Sequence, residues 1–151
     1  MLNFSNLNDI EFEYLCNDVM SRKLDINFQR FPAGRDGGID LLGFKYNDKI
    51  VIQVKHYKSS SYSNLVSSLK KEIPKVKRIN PSNYYICCSM KLTLNNKTEI
   101  FEMFSNYMDS IENVIDLINI SDFLDDDENK DILKKHFKLW IESTNILTNI
   151  K

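Results

Sequence analysis

At 151 residues, with 42% hydrophobic and 27% charged side chains, the chain is long and apolar enough for one domain with its own core, which excludes a largely disordered protein. No apolar run approaches the roughly 18 residues of a membrane-spanning helix, and Met1-Leu2-Asn3-Phe4-Ser5-Asn6 lacks the basic-then-apolar layout of a secretion signal, so a soluble, cytoplasmic chain with no membrane partner is expected. The net charge of −1 conceals a division: residues 45–78 hold nine bases against Asp48 and Glu72, and residues 99–131 hold eleven acids against Lys130 alone, so a polyanion is drawn to the first stretch and repelled by the second.

The first element is a helix over 9–24, with Asn8 as its cap, Glu11 as the return partner, and Phe12, Leu15, Cys16, Val19 and the stem of Lys23 along one side. Alternation predicts a strand over 26–31, broken by Pro32-Ala33-Gly34-Arg35-Asp36-Gly37-Gly38 with three of the four glycines. Two strands follow, over 39–44 and 50–56, joined by a turn at Tyr46-Asn47-Asp48-Lys49. In the second, Ile50, Ile52 and Val54 face one way and Val51, Gln53 and Lys55 the other.

A basic helix is expected over 63–71, interrupted or ended by Pro74; on its own such a stretch also suits a solvated helix face. Residues 84–88 read as a buried strand, 95–104 as a helix and 114–118 as a strand, which together give a mixed α/β sheet covered on both faces. The three cysteines are odd in number, two are adjacent, and none forms a C-x-x-C pair, so small buried side chains are expected rather than a disulfide framework or zinc knuckle. From Ser121 the tail reads as helical, with a solvated acidic loop at 125–128 and apolar residues at helical spacing over 135–147 (Phe137, Trp140, Ile141, Thr144, Leu147).

The chemistry concentrates in Gly37-Gly38-Ile39-Asp40-Leu41-Leu42 followed by Ile52-Gln53-Val54-Lys55. Antiparallel neighbours lie about 5 Å apart, so one hairpin brings a carboxylate, an amide and an ammonium together. Phosphodiester hydrolysis uses that set: a hard divalent cation takes oxygen ligands, holds the phosphate and acidifies a bound water. Asp40 is the expected main ligand, with oxygens added by the Gln53 side chain and the Val54 carbonyl. Lys55 would activate the water or stabilise charge. The competing reading is that Gln53 and Lys55 form the solvent-facing half of an edge strand.

G-R-D-G-G-I-D-L followed by I-Q-V-K-H-Y resembles the Mrr-type branch of the PD-(D/E)XK nuclease superfamily, in which glutamine commonly replaces the acid before x-K. The resemblance implies a restriction-endonuclease-like α/β fold, a central mixed sheet flanked by helices, with a nuclease core over 1–120 and a helical extension over 121–151. It matches Asp40, Gln53 and Lys55 to the motif, and Phe12-Glu13 to the family's first helix, whose glutamate lies near the metal. Catalytic residues are therefore expected at Asp40, Gln53, Lys55 and Glu13, metal ligands at Asp40, Gln53, Val54 and Glu13, and the cofactor as Mg²⁺, replaceable by Mn²⁺. Glutamine at position 53 gives one negative charge fewer, so weaker metal binding is expected unless Glu13 or Asp36 supplies it.

Lys75-Val76-Lys77, Tyr84-Tyr85-Ile86-Cys87 and His136-Phe137-Lys138-Leu139-Trp140 further resemble the effector nuclease domains at the front of STAND-type, Avs-like antiphage ATPases. That implies either an excised domain or a stand-alone relative. No Walker motif occurs, so no nucleotide hydrolysis is expected of this chain. The expected partner is double-stranded DNA, contacted by Arg35, Tyr57, Lys58, Lys70 and Lys71, with a homodimer or higher oligomer to cut both strands. His56 and His136 read as structural or surface histidines. Two rivals stand beside this reading: a catalytically silent nucleic-acid-binding or oligomerisation module, and a structure-specific or RNA nuclease.

Overall fold

The computed structural model describes residues 2–32, 39–57 and 61–139. Helix α1 (Asp9–Leu24) forms where its pattern predicts. Asn8 accepts from the Glu11 amide and the Glu11 side chain accepts from the Asn8 amide, 2.8 and 2.9 Å, which satisfies two N–H groups the helix itself cannot. Phe12, Leu15, Cys16, Val19 and Met20 are buried. Lys23 is exposed; Met20, not its stem, completes the apolar stripe.

Among the described residues five strands, β1 (Gln29–Arg30), β2 (Leu41–Lys45), β3 (Asp48–Lys55), β4 (Asn83–Cys88) and β5 (Val114–Ile115), lie side by side in chain order. The first three are antiparallel and the last three parallel, with α2 (Tyr62–Ile79) and α3 (Leu94–Met103) in the connections. This is the expected mixed sheet with helices on both faces. One core lies under α1 and contains Ile50 and Ile52; the other lies under α2 and α3 and contains Val51, Tyr84 and Ile86. Strand β3 is interior and Gln53 is only 6% exposed, so the solvent-facing edge-strand reading fails.

The strand expected over 26–31 contracts to Gln29–Arg30. Ile26 and Phe28 instead pack their side chains onto the face of β2 at Gly43, where a Cβ would come within 2.6 and 2.9 Å of them. The hairpin turn is tighter than the four residues expected: Lys45 pairs with Asp48, leaving Tyr46 and Asn47, and Tyr46 takes a φ of 57°.

Helix α2 runs through Pro74 instead of stopping there. A proline inside a helix costs about 3 kcal/mol, but Leu65, Leu69 and Val76 are buried on this helix, each worth roughly 1.5–3 kcal/mol. Stopping at Pro74 would forfeit the Val76 contacts. The strand expected over 114–118 ends at Ile115, because Asp116 caps α4 (Leu117–Asp125) in a capping box with Asn119.

The expected boundary between 120 and 121 thus falls inside α4, whose Ile120 and Leu124 share the α1-side core. Part of the acidic loop is a 3-10 turn (Asp127–Asn129), followed by α5 (Lys130–Lys135) and a second 3-10 turn (Phe137–Leu139). Ion pairs tie this segment to α1, Arg22–Asp131 at 2.7 Å, Lys135–Asp18 at 2.9 Å and Lys138–Glu11 at 2.6 Å, and His136 Nε2 makes a hydrogen bond with Asp18 Oδ2 at 2.7 Å. The helix expected over 135–147 lies outside the described residues from Trp140 onward. All three cysteines are buried free thiols. Among the described residues no helix is long and apolar enough to cross a membrane.

Candidate active site

Asp40 stands just before β2, its carbonyl accepting from the Phe31 amide at 3.1 Å. Its carboxylate reaches across to β3: Oδ2 accepts from Gln53 Nε2 at 2.8 Å and from the Val54 amide at 2.7 Å. The register Leu41↔Ile52 places residue 40 opposite residue 53, and the two-residue period puts Lys55 on the same face as Gln53. The Lys55 ammonium lies 3.5 Å from Glu72 Oε1 on α2 and is close enough to Asp40 to pull its pKa down. Asp40, Gln53 and Lys55 are therefore gathered at one end of the hairpin, on one face.

Glu13 arrives from α1. Phe12 beside it stacks on His56 with ring centroids 4.6 Å apart, and His56 is fixed at both nitrogens, Nε2 to the Leu7 carbonyl at 2.7 Å and Nδ1 to Ser89 Oγ at 2.8 Å. A carbonyl only accepts, so Nε2 carries a hydrogen. The histidine thus has a structural role: it joins α1, the end of β3 and the residue after β4. Arg30 of β1 binds Glu13 Oε2 with two nitrogens, at 2.8 and 3.2 Å, and stacks over the Tyr14 ring.

Burial raises the Asp40 pKa to about 6; the Val54 N–H opposes the rise, the Glu13 charge adds to it, Lys55 opposes it, and Glu72 adds again. A carboxylate buried among other carboxylates is relieved by a cation, and the oxygens on hand suit a hard one. Among the described residues no three His, Cys, Asp or Glu side chains cluster as a metal site. The Gln53 amide nitrogen is committed to Asp40, which leaves its oxygen, the atom expected as a ligand, as the side chain's second polar group.

The nine bases of residues 45–78 do not form one surface. Lys45 and Lys49 donate to the Leu24 and Ile79 carbonyls at 3.2 and 3.1 Å, capping the ends of α1 and α2, and Lys49 is six residues, about 20 Å along β3, from Lys55. Lys55 and Lys75 flank Glu72. Lys70, Lys71, Lys77 and Arg78 are exposed along α2. Tyr57 is half-buried against the α2-side core, its amide bonded to Ser89 Oγ at 2.8 Å. Arg35, Asp36 and Lys58 lie outside the described residues.

Glu72 is the site residue that sequence reasoning passed over, having counted it only as a charge opposing the basic stretch. Its spacing was the available signal: positions 65, 69, 72 and 76 make one helical stripe, so an acid at 72 had to be buried.

A five-stranded mixed sheet between helices, with carboxylate, amide and amine at the end of its central hairpin, is the restriction-endonuclease-like α/β fold. Residues 4–80, half of the chain, match the restriction endonuclease family Mrr_cat, and the chain belongs to that family. It is also similar to the uncharacterised protein y4cD of Sinorhizobium fredii (strain NBRC 101917 / NGR234), 28% identical over 147 residues. That alignment covers 97% of this chain and 23% of y4cD, so the chain spans about a quarter of its longer relative.

Proposed function

We propose that the chain is a divalent-metal-dependent DNA endonuclease domain whose site is Asp40, Gln53, Val54, Lys55 and Glu13. The observation that carries this reading is the Asp40 carboxylate, buried yet bonded to both Gln53 and the Val54 amide beside Lys55. Asp40, the Gln53 oxygen and the Val54 carbonyl would hold Mg²⁺ or Mn²⁺, with Glu13 contributing its charge. When bound, the cation supplies a Lewis acid for the phosphate and acidifies water. Gln53 and the Val54 N–H fix the Asp40 carboxylate. Lys55, held in its ion pair with Glu72, meets the phosphate as a cation and stabilises the charge that develops on its oxygens. With Asp40 ionised, three carboxylates (Glu13, Asp40, Glu72) face three cations (Arg30, Lys55, Lys75), so a divalent ion leaves the site positive for a phosphodiester.

Double-stranded DNA is the proposed substrate, held by the exposed bases of α2 together with Arg35, Tyr57 and Lys58. Cutting both strands then calls for two copies of the site, in a homodimer or a larger assembly. The span of only 23% of y4cD, together with the sequence resemblance over residues 75–77, 84–87 and 136–140, supports a place as the effector domain of a larger STAND-type defence protein. The bounds 1–120 and 121–151 belong to this proposal as core and extension.

Plasmid cleavage with Mg²⁺ or Mn²⁺, comparing wild type with Asp40→Ala and Lys55→Ala, tests it. Cleavage by wild type and loss of about 10²-fold or more in each variant is expected. Wild-type inactivity with both metals, or full activity in Asp40→Ala, sinks the nuclease reading in favour of a silent binding module, and preference for RNA or branched DNA reassigns the substrate.

A further inference from the structure

Glu72 occupies the apolar stripe of α2 with Leu65, Leu69 and Val76, and its side chain is 8% exposed. A carboxylate there is disfavoured unless cations pair with it. Its Oε1 lies 3.5 Å from Lys55 Nζ and 3.6 Å from Lys75 Nζ, while Oε2 has no partner. The other buried polar side-chain atom without a partner among the described residues is the Tyr84 hydroxyl, in the same core. Burial first, and then the Glu72 and Asp40 charges, raise the Tyr84 pKa well above its ordinary value, so Tyr84 adds no negative charge beside Glu72, whose charged partners are the two ammonium groups. A glutamine or leucine would fill this position at less cost, whereas the carboxylate adds an opposite charge beside the Lys55 ammonium.

We infer that Glu72 is a positioning residue: its carboxylate holds the Lys55 ammonium at the Asp40–Gln53 end of the hairpin, and Lys75 pairs with the same carboxylate oxygen as a second cation. The inference rests on the nuclease reading above, in which Lys55 acts on the phosphate. A merely structural Glu72 would serve only to neutralise Lys75, and removing both would then restore function.

Two readouts test this on the full chain. The first is reductive methylation followed lysine by lysine with mass spectrometry, which needs neither metal nor cleavage. Lys55 should react severalfold faster in Glu72→Gln than in wild type, with exposed Lys70 unchanged; equal Lys55 rates overturn the inference. The second is plasmid cleavage with Mg²⁺, with Asp40→Ala as the control for the nuclease reading itself. Glu72→Gln should lower kcat about tenfold or more while KM for DNA stays within about twofold. Glu72→Asp should recover part of kcat, and Glu72→Gln with Lys75→Gln should stay low. Wild-type kcat in Glu72→Gln, or its restoration in the double variant, overturns the inference while leaving the nuclease reading intact. Wild-type inactivity removes the nuclease reading and leaves the methylation rates to decide whether Glu72 holds Lys55. Should Glu72→Gln fail to fold by circular dichroism, Glu72→Asp carries both measurements, and unchanged kcat together with unchanged Lys55 methylation overturns the inference.

Discussion

Burial holds the Asp40 carboxyl at a pKa of about 6, above its ordinary 3.8, and this sets how the metal-free protein responds to pH. The unfolded chain releases the proton first, so native stability falls as pH rises from about 4 to about 6, by on the order of 2–3 kcal/mol once Asp40 is ionised. In EDTA, Asp40→Asn should therefore melt higher than wild type at about pH 7.5 and equally at about pH 4; thermal denaturation across that range checks it, and a difference independent of pH contradicts it. Cleavage should move the other way, rising through about pH 6 as the carboxylate becomes able to hold a cation. The alternation of β3 made the shared face of Gln53 and Lys55 readable in the sequence, while the place of Asp40 opposite Gln53 depends on the two-residue turn and the register Leu41↔Ile52. Glu72 was missed because reading the helix by its net charge passes over the stripe that positions 65, 69, 72 and 76 make.

Among the elements, β2 depends on having no side chain at Gly43, where Ile26 and Phe28 close over the strand within 2.6 and 2.9 Å of a would-be Cβ. Both neighbours are buried and branched or aromatic, so neither moves freely aside. Gly43→Ala should lower stability by about 1–3 kcal/mol, seen as a lower urea midpoint; an unchanged midpoint would mean that the segment before β1 yields. This contact also explains why alternation over 26–31 gave too long a strand: Ile26 and Phe28 alternate as strand residues do, but they bury on the face of β2, and only Gln29 and Arg30 pair with it. Helix α1 was readable in its bounds, cap, return partner and most of its apolar stripe, all local features, though Met20 and not Lys23 completes the stripe. Helix α2 was not, because the burial that carries it past Pro74 depends on a sheet that local sequence does not reveal.

At the scale of the whole molecule, the basic stretch divides into bases that cap helices, bases that flank Glu72, and an exposed group on α2: Lys70, Lys71, Lys77 and Arg78. If each of the four neutralises one phosphate, replacing all of them should flatten the log–log salt dependence of DNA binding by about 3–4. Fluorescence anisotropy at several salt concentrations measures this, and an unchanged slope places the DNA elsewhere. The sequence disclosed the total charge but not this partition, because Lys45 and Lys49 become structural only once the hairpin turn meets the ends of α1 and α2.

The account turns on Asp40 and the Val54 carbonyl meeting one cation at the end of the hairpin. Anomalous scattering from a crystal of the protein soaked in Mn²⁺ tests this most directly. The expected result is a peak in contact with the Asp40 carboxylate and the Val54 carbonyl, absent in Asp40→Asn. A crystal in which Mn²⁺ binds only elsewhere, or binds unchanged in Asp40→Asn, contradicts it.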